Sequence, residues 1–137
     1  MVSSEWTPEH EVYLPGFDAE HKDLFHHVTE VRSAASSQAD LPQLLQATRD
    51  LVAAAAGHFA GEESKMRAAR YPAYAWHKDQ HNAVRKRIDL YLPLVEKGDT
   101  DAALQLADYV AGWLDNHTAV TDRMMAAFLR NHERQSR

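Results

Sequence analysis

The chain has 137 residues, 45% of them hydrophobic and 26% charged, which is enough to bury one sizeable core. Its 15 basic and 20 acidic residues give a formal net charge of −5, and no basic run could track phosphates, which excludes a nucleic-acid partner. Cysteine is absent, which excludes disulfides, thiolate metal sites and cysteine nucleophiles, and no apolar run reaches the ~20 residues that span a bilayer.

The opening MVSSEWTPEHEVYL lacks a basic stretch followed by an apolar one, so no secretory signal is expected and a cytoplasmic address follows. Residues 1–17 read as an arm, because Pro8, Pro15 and Gly16 discourage regular structure, and Trp6 is expected to pack it onto the body. A first helix is predicted from Asp18, read as its N-cap, with His21, Leu24, Phe25, Val28 and Ala35 on one stripe and a break at Ser36, Ser37 and Asp40. Asp40 caps a second helix with Pro42 in its first turn, where a missing N–H does no harm. Its stripe is Leu44, Leu45, Thr48, Leu51, Val52, Ala55, His58, Phe59, Glu62 and Met66, and Tyr71-Pro72 closes it. The third helix carries His77, His81, Val84, Ile88, Tyr91, Leu92 and Val95 and stops at Gly98, a residue suited to the position after a C-cap. The fourth starts after Asp99 or Thr100 and carries Ala103, Leu106, Ala107, Val110, Trp113, Leu114, His117, Thr121, Met124, Met125 and Phe128. No segment keeps a strand-like alternation. The fold class is all-α: an up-down-up-down antiparallel four-helix bundle over 18–132, in one domain, joined by short connections.

Nine histidines in such a chain is a rich supply of the side chain that most often ligates transition metals. His21, His58, Glu62, His77, His81 and His117 all fall on the stripes that must face the core, where unpaired imidazoles and a carboxylate cost several kcal/mol each. No lysine or arginine on those stripes can neutralise Glu62. A cation at the bundle centre would. His58 and Glu62 are i,i+4, as are His77 and His81, so each pair projects from one helix face about 6 Å apart along the axis. Asp122 lies five residues after His117, which rotates it off the histidine's line, an offset that a carboxylate bridging two ions could use. Seven protein ligands exceed the four of a tetrahedral zinc and suit two ions with bridging carboxylates. Imidazole with carboxylate leaves iron, zinc, copper and nickel open. His10, His26, His27 and His132 lie off the stripes or near the ends and are expected in solvent, whereas Met124, Met125 and Phe128 are expected in the core.

These residues resemble the motifs of the hemerythrin family. Gly16-Phe17-Asp18-Ala19-Glu20-His21-Lys22-Asp23-Leu24-Phe25 resembles its opening motif, His58-Phe59 with Glu62-Glu63 the second, and His77-Lys78-Asp79-Gln80-His81 the third. Trp113-Leu114-Asp115-Asn116-His117 followed by Asp122 resembles the fourth, and the similarity runs from about Trp6 to about Phe128. The resemblance implies two non-haem irons (Fe2+/Fe3+) with an oxo or hydroxo bridge. His77, His81 and His117 would hold one, His21 and His58 the other, and Glu62 and Asp122 would bridge them. It further implies reversible dioxygen binding at the open position of the second iron. Leu24, Phe59, Trp113 and Leu114 match bulky apolar pocket positions, while Thr118 stands where the family usually has a large aliphatic residue, so a wetter pocket and faster autoxidation are expected.

A ferritin-like enzyme supplies Glu-x-x-His motifs from paired helices. The histidine-rich set here favours binding over turnover, so no enzyme activity is expected. Storage of dioxygen, or its delivery to an oxygen-using enzyme, is the favoured role, with a di-iron peroxidase or oxidase, a nitric oxide-handling enzyme, or an oxygen or redox sensor as alternatives. The acidic surface suits a monomer with no membrane partner.

Overall fold

The computed structural model describes residues 5–135. Residues 1–4 of the expected arm lie outside them. Helices α1 (Pro15–Ser36), α2 (Leu41–Ala68), α3 (Tyr74–Glu96) and α4 (Thr100–Asn116) form the bundle; a π turn (His117–Asp122) then carries α4 without a break into α5 (Arg123–Gln135). There is no strand among the described residues. Connections of three to five residues force neighbours to run antiparallel, and cross-helix contacts agree. Arg49 near the start of α2 meets Glu96 at the end of α3, whereas Glu63 near the end of α2 meets His81 near the start of α3. Likewise Arg32, late in α1, meets Asp108, while His21, early in α1, meets Asp122.

Local chemistry sets most of the ends. Asp40 caps α2 by accepting from the Gln43 amide at 3.0 Å, with Pro42 just inside the helix, and Asp99 caps α4 by accepting from the Ala102 amide at 3.0 Å. Gly98 adopts φ +98°, a left-handed conformation that glycine takes without strain, just after α3 ends.

The start of α1 differs from the expectation. Asp18 is not the cap: the helix begins at Pro15, whose fixed φ and missing N–H suit a first helical position. The Asp18 carboxylate instead accepts from the Val12 amide at 2.8 Å and ties the arm down. The arm is ordered further by a 3-10 turn (Pro8–His10) and by Arg123, which donates to the carbonyls of Glu9 (2.6 Å) and Glu11 (2.8 Å). Trp6 packs against the core as expected, with the Lys22 ammonium 4.3 Å from its ring centre.

His10 also departs from the expectation of a solvated ring. It is 7% exposed, packs on Phe25, accepts from the Thr7 amide at Nδ1 (2.9 Å) and donates from Nε2 to Asp115 (2.8 Å). His26 and His132 are exposed and His27 is half-buried.

Apolar side chains form two clusters. The larger holds Leu24, Phe25, Val28, Leu51, Leu106 and Leu114 among others; the smaller holds Val12, Phe17, Met66, Met125, Ala126 and Leu129. Between them lies a layer of buried histidines and carboxylates. The π turn inserts one residue into the helical register, so beyond it Met125, Ala126 and Leu129 face inward. Met124, expected in the core, is consequently turned out and 51% exposed.

Candidate metal centre

Each helix of the bundle sends polar groups into this layer. His21 comes from α1, His58 and Glu62 from α2, His77 and His81 from α3, and His117 and Asp122 from the π turn. All seven are buried, and Glu62 and Asp122 completely so. On an α-helix of 3.6 residues per turn, a residue five positions on stands about 140° away from the first. The wider π turn removes that offset and brings Asp122 Oδ1 to 2.9 Å from His117 Nε2. The offset read from the spacing is therefore not what the structure uses.

The donor atoms fall into two sets that share the carboxylates. Glu62 Oε1 lies 3.0 Å from His81 Nε2 and 3.3 Å from His77 Nε2, while Glu62 Oε2 lies 3.1 Å from His58 Nε2 and 3.5 Å from His21 Nε2. Asp122 divides in the same way: Oδ1 faces His117 (2.9 Å) and His77 (3.1 Å), and Oδ2 faces His21 (3.1 Å). The sets are thus Glu62, His77, His81, His117 and Asp122 on one side and His21, His58, Glu62 and Asp122 on the other, five donors against four.

Three imidazoles are oriented from behind by groups that sequence reading missed. A carboxylate can only accept, so His58 donates from Nδ1 to Glu20 Oε1 (2.6 Å) and His81 from Nδ1 to Glu63 Oε2 (2.7 Å). His117 donates from Nδ1 to Gln80 Oε1 (2.8 Å), which also accepts from the Thr121 hydroxyl (2.9 Å). With Nδ1 held from behind, each Nε2 points inward toward the carboxylates. Glu62 Oε2, His81 Nε2 and both Asp122 oxygens are buried without a hydrogen-bond donor. Buried carboxylate oxygens facing imidazole nitrogens at about 3 Å need a positive charge between them, which protons supply in the metal-free chain and metal ions can replace. The donor chemistry fits metal ions there.

The electrostatics agree. Burial disfavours a charged ring at His58 and His77, yet Glu62 with Glu20 holds His58 up at about 10, and Asp122 with Glu62 holds His77 up at about 9. His21 is raised despite burial by Asp122 and Glu62, whereas burial wins at His117 and lowers it. Against burial, which would raise them, Glu62 is held well below its ordinary range mainly by His58, and Asp122 mainly by His117. A field that concentrates protons around two buried carboxylates also concentrates metal cations.

Two of the residues expected in the pocket, Phe59 and Trp113, pack on histidines of this layer. Phe59 stacks on His81 with ring centres 4.2 Å apart, Trp113 stacks on His117 at 4.0 Å, and the two rings meet edge-on at 5.4 Å. Leu24, Leu114 and Thr118 are buried. The Thr118 hydroxyl donates to the Leu114 carbonyl at 2.5 Å, so it is satisfied within its own helix.

A family model, the Hemerythrin HHE cation binding domain, matches residues 14–129. The chain belongs to the hemerythrin family. It is 29% identical over 118 residues to the myohemerythrin of Sipunculus nudus, covering 85% of this chain and 86% of that one. It is 28% identical over 117 residues to myohemerythrin-1 of Phascolopsis gouldii, covering 85% of this chain and 87% of that one. With the bacteriohemerythrin of Methylococcus capsulatus it shares 27% over 130 residues, covering 90% of this chain and 95% of that one. Hemerythrins bind oxygen at a di-iron site and are not enzymes as a family. In this hemerythrin no helix among the described residues is long and apolar enough to cross a membrane.

Proposed function

We propose that the chain binds dioxygen reversibly at two non-haem irons held by His21, His58, Glu62, His77, His81, His117 and Asp122. The observation that carries this reading is the division of Glu62 and Asp122, each turning one oxygen to a five-donor set and the other to a four-donor set. Two carboxylates shared in that manner suit two ions and not one. A bound iron pair would supply the electrons and, on the side with fewer donors, the vacant coordination position that reversible dioxygen binding requires.

The chain's own residues do the rest. Glu20, Glu63 and Gln80 hold three imidazoles with Nε2 inward, so the donors keep their positions when the oxidation state changes. Leu24, Phe59, Trp113 and Leu114 would restrict the entry of water to the donor layer. The role supported is oxygen storage, or delivery to an oxygen-requiring enzyme, by a cytoplasmic monomer rather than an enzyme. Purified, iron-loaded protein should hold two irons per chain and show a visible absorption band that appears with air and fades on deoxygenation, over repeated cycles. Fewer than two irons would remove the reading. Irreversible bleaching with consumption of peroxide or nitric oxide would replace it with an enzyme.

A further inference from the structure

The three imidazoles held at Nδ1 do not face the same kind of acceptor. His117 faces the neutral amide oxygen of Gln80, His58 the Glu20 carboxylate with its half-exposed side chain, and His81 the buried Glu63 carboxylate. Glu63 has a further partner: Arg85 donates from Nη1, at 2.8 Å, to the same Oε2 that takes the His81 proton at 2.7 Å. Arg85 is itself steadied by the Asn82 side-chain oxygen at 2.9 Å, and its guanidinium lies 5.5 Å from the centre of the Phe59 ring, which stacks on His81. Arg85, Glu63 and Phe59 thus enclose one imidazole.

We propose that Arg85 is a positioning residue that acts on the metal pair through Glu63 and His81, limiting how much negative charge His81 presents to its ion. The proposal rests on the two-iron reading proposed above. A carboxylate on Nδ1–H pushes electron density onto the ring, makes Nε2 a stronger donor and favours the higher oxidation state. A guanidinium on the same carboxylate oxygen draws that density back. Glu63 and Arg85 therefore work with opposite signs. Glu63 strengthens the histidine as a ligand; Arg85 keeps that gain from driving the iron to the oxidised form, which would end reversible binding. Among the described residues His58 shows no such counterweight: its acceptor Glu20 is half-exposed and pairs with no lysine or arginine.

The opposite signs make the test specific. Metal-free wild type, Glu63→Gln, Arg85→Ala and Arg85→Lys would first be titrated with Zn2+, which has no redox chemistry. Wild type and both arginine variants should take up two ions, while Glu63→Gln should lose about 10- to 100-fold in affinity for one of them. The iron-loaded proteins would then be compared by reduction potential. We expect an upward shift in Glu63→Gln, a downward shift in Arg85→Ala and return toward wild type in Arg85→Lys. If Arg85→Ala folds poorly by circular dichroism, Arg85→Met, which keeps the aliphatic stem, replaces it. Shifts in the same direction, or none, would overturn the proposal and reduce the cluster to packing. A wild type that takes up fewer than two ions would instead remove the ion-pair reading, and this inference with it.

Discussion

Asp122 Oδ1 reaches within 2.9 Å of His117 Nε2 because the six residues His117–Asp122 wind as a π turn. Deleting one residue of the turn would set Asp122 four positions after His117, the spacing that keeps two side chains on one face of an ordinary α-helix. Deleting Val120, which is 58% exposed, is therefore expected to leave helical content intact by circular dichroism and metal retention close to that of the parent chain. A loss of metal in that variant would show that the π geometry itself, and not same-face spacing, places the carboxylate.

The shared carboxylates predict a pattern of metal loss. Glu62 and Asp122 each serve both sets, whereas His58 serves one. Glu62→Ala or Asp122→Ala should leave close to no metal after desalting, and His58→Ala about one ion per chain, measured by elemental analysis. Equal losses in all three variants would contradict the division described here.

The pH dependence of the metal-free protein follows from the raised histidines. His58, at about 10, and His77, at about 9, sit above their ordinary 6.5, so what they contribute to stability is fully present below about 6.5 and is lost as pH rises through those values. The depressed carboxylates Glu62 and Asp122 act in the other direction, contributing above their ordinary 4.5 and 3.8 and losing that contribution as pH falls below them. Thermal unfolding of metal-free protein should therefore peak between about pH 5 and 6.5 and decline toward pH 10. Metal displaces these protons, so uptake should release acid and tighten as pH rises. A melting temperature that climbs from pH 7 to 10 without metal would refute this.

Thr118 offers a test of pocket wetness. Its hydroxyl is already bonded to the Leu114 carbonyl, so what the larger aliphatic residue of the family would add is bulk. Thr118→Ile should slow autoxidation, at a cost of about 1–3 kcal/mol in stability from overpacking. An unchanged or faster rate, followed from the decay of the oxygenated spectrum, would discard the idea of a wet pocket at this position.

The spacings that place His58 with Glu62 and His77 with His81 are legible in the chain because they lie on one helix face, and helical period alone sets which face that is. The same period explains why Leu24, Val28, Leu51 and Leu106 were found. What escaped depends on partners in other elements. His10 looked free because Asp115, the acid that holds it, is 105 residues away. Glu20, Glu63 and Gln80 each stand beside a site histidine or carboxylate in sequence, but only the neighbouring helix reveals which ring each one grips. Met124 lies on the α-helical stripe but not in the core, since no local propensity announces a π turn and one inserted residue rotates everything that follows. Pro15 and Gly16 have the composition of a break, yet proline at a helix start promotes the helix.

The polar layer cuts the hydrophobic interior into two, one cluster around Leu24 and Leu106 and a smaller one around Met66 and Met125 with the arm. Without bound ions, the bundle has little apolar contact through its waist to make the ends melt together. Metal removal should then cost cooperativity as well as stability: the smaller end, fastened by Arg123 and Asp18, would fray first while the larger one persists, and a single sharp transition would broaden into two. Ions bound in that layer would in this sense be the rivet that makes two half-cores behave as one protein.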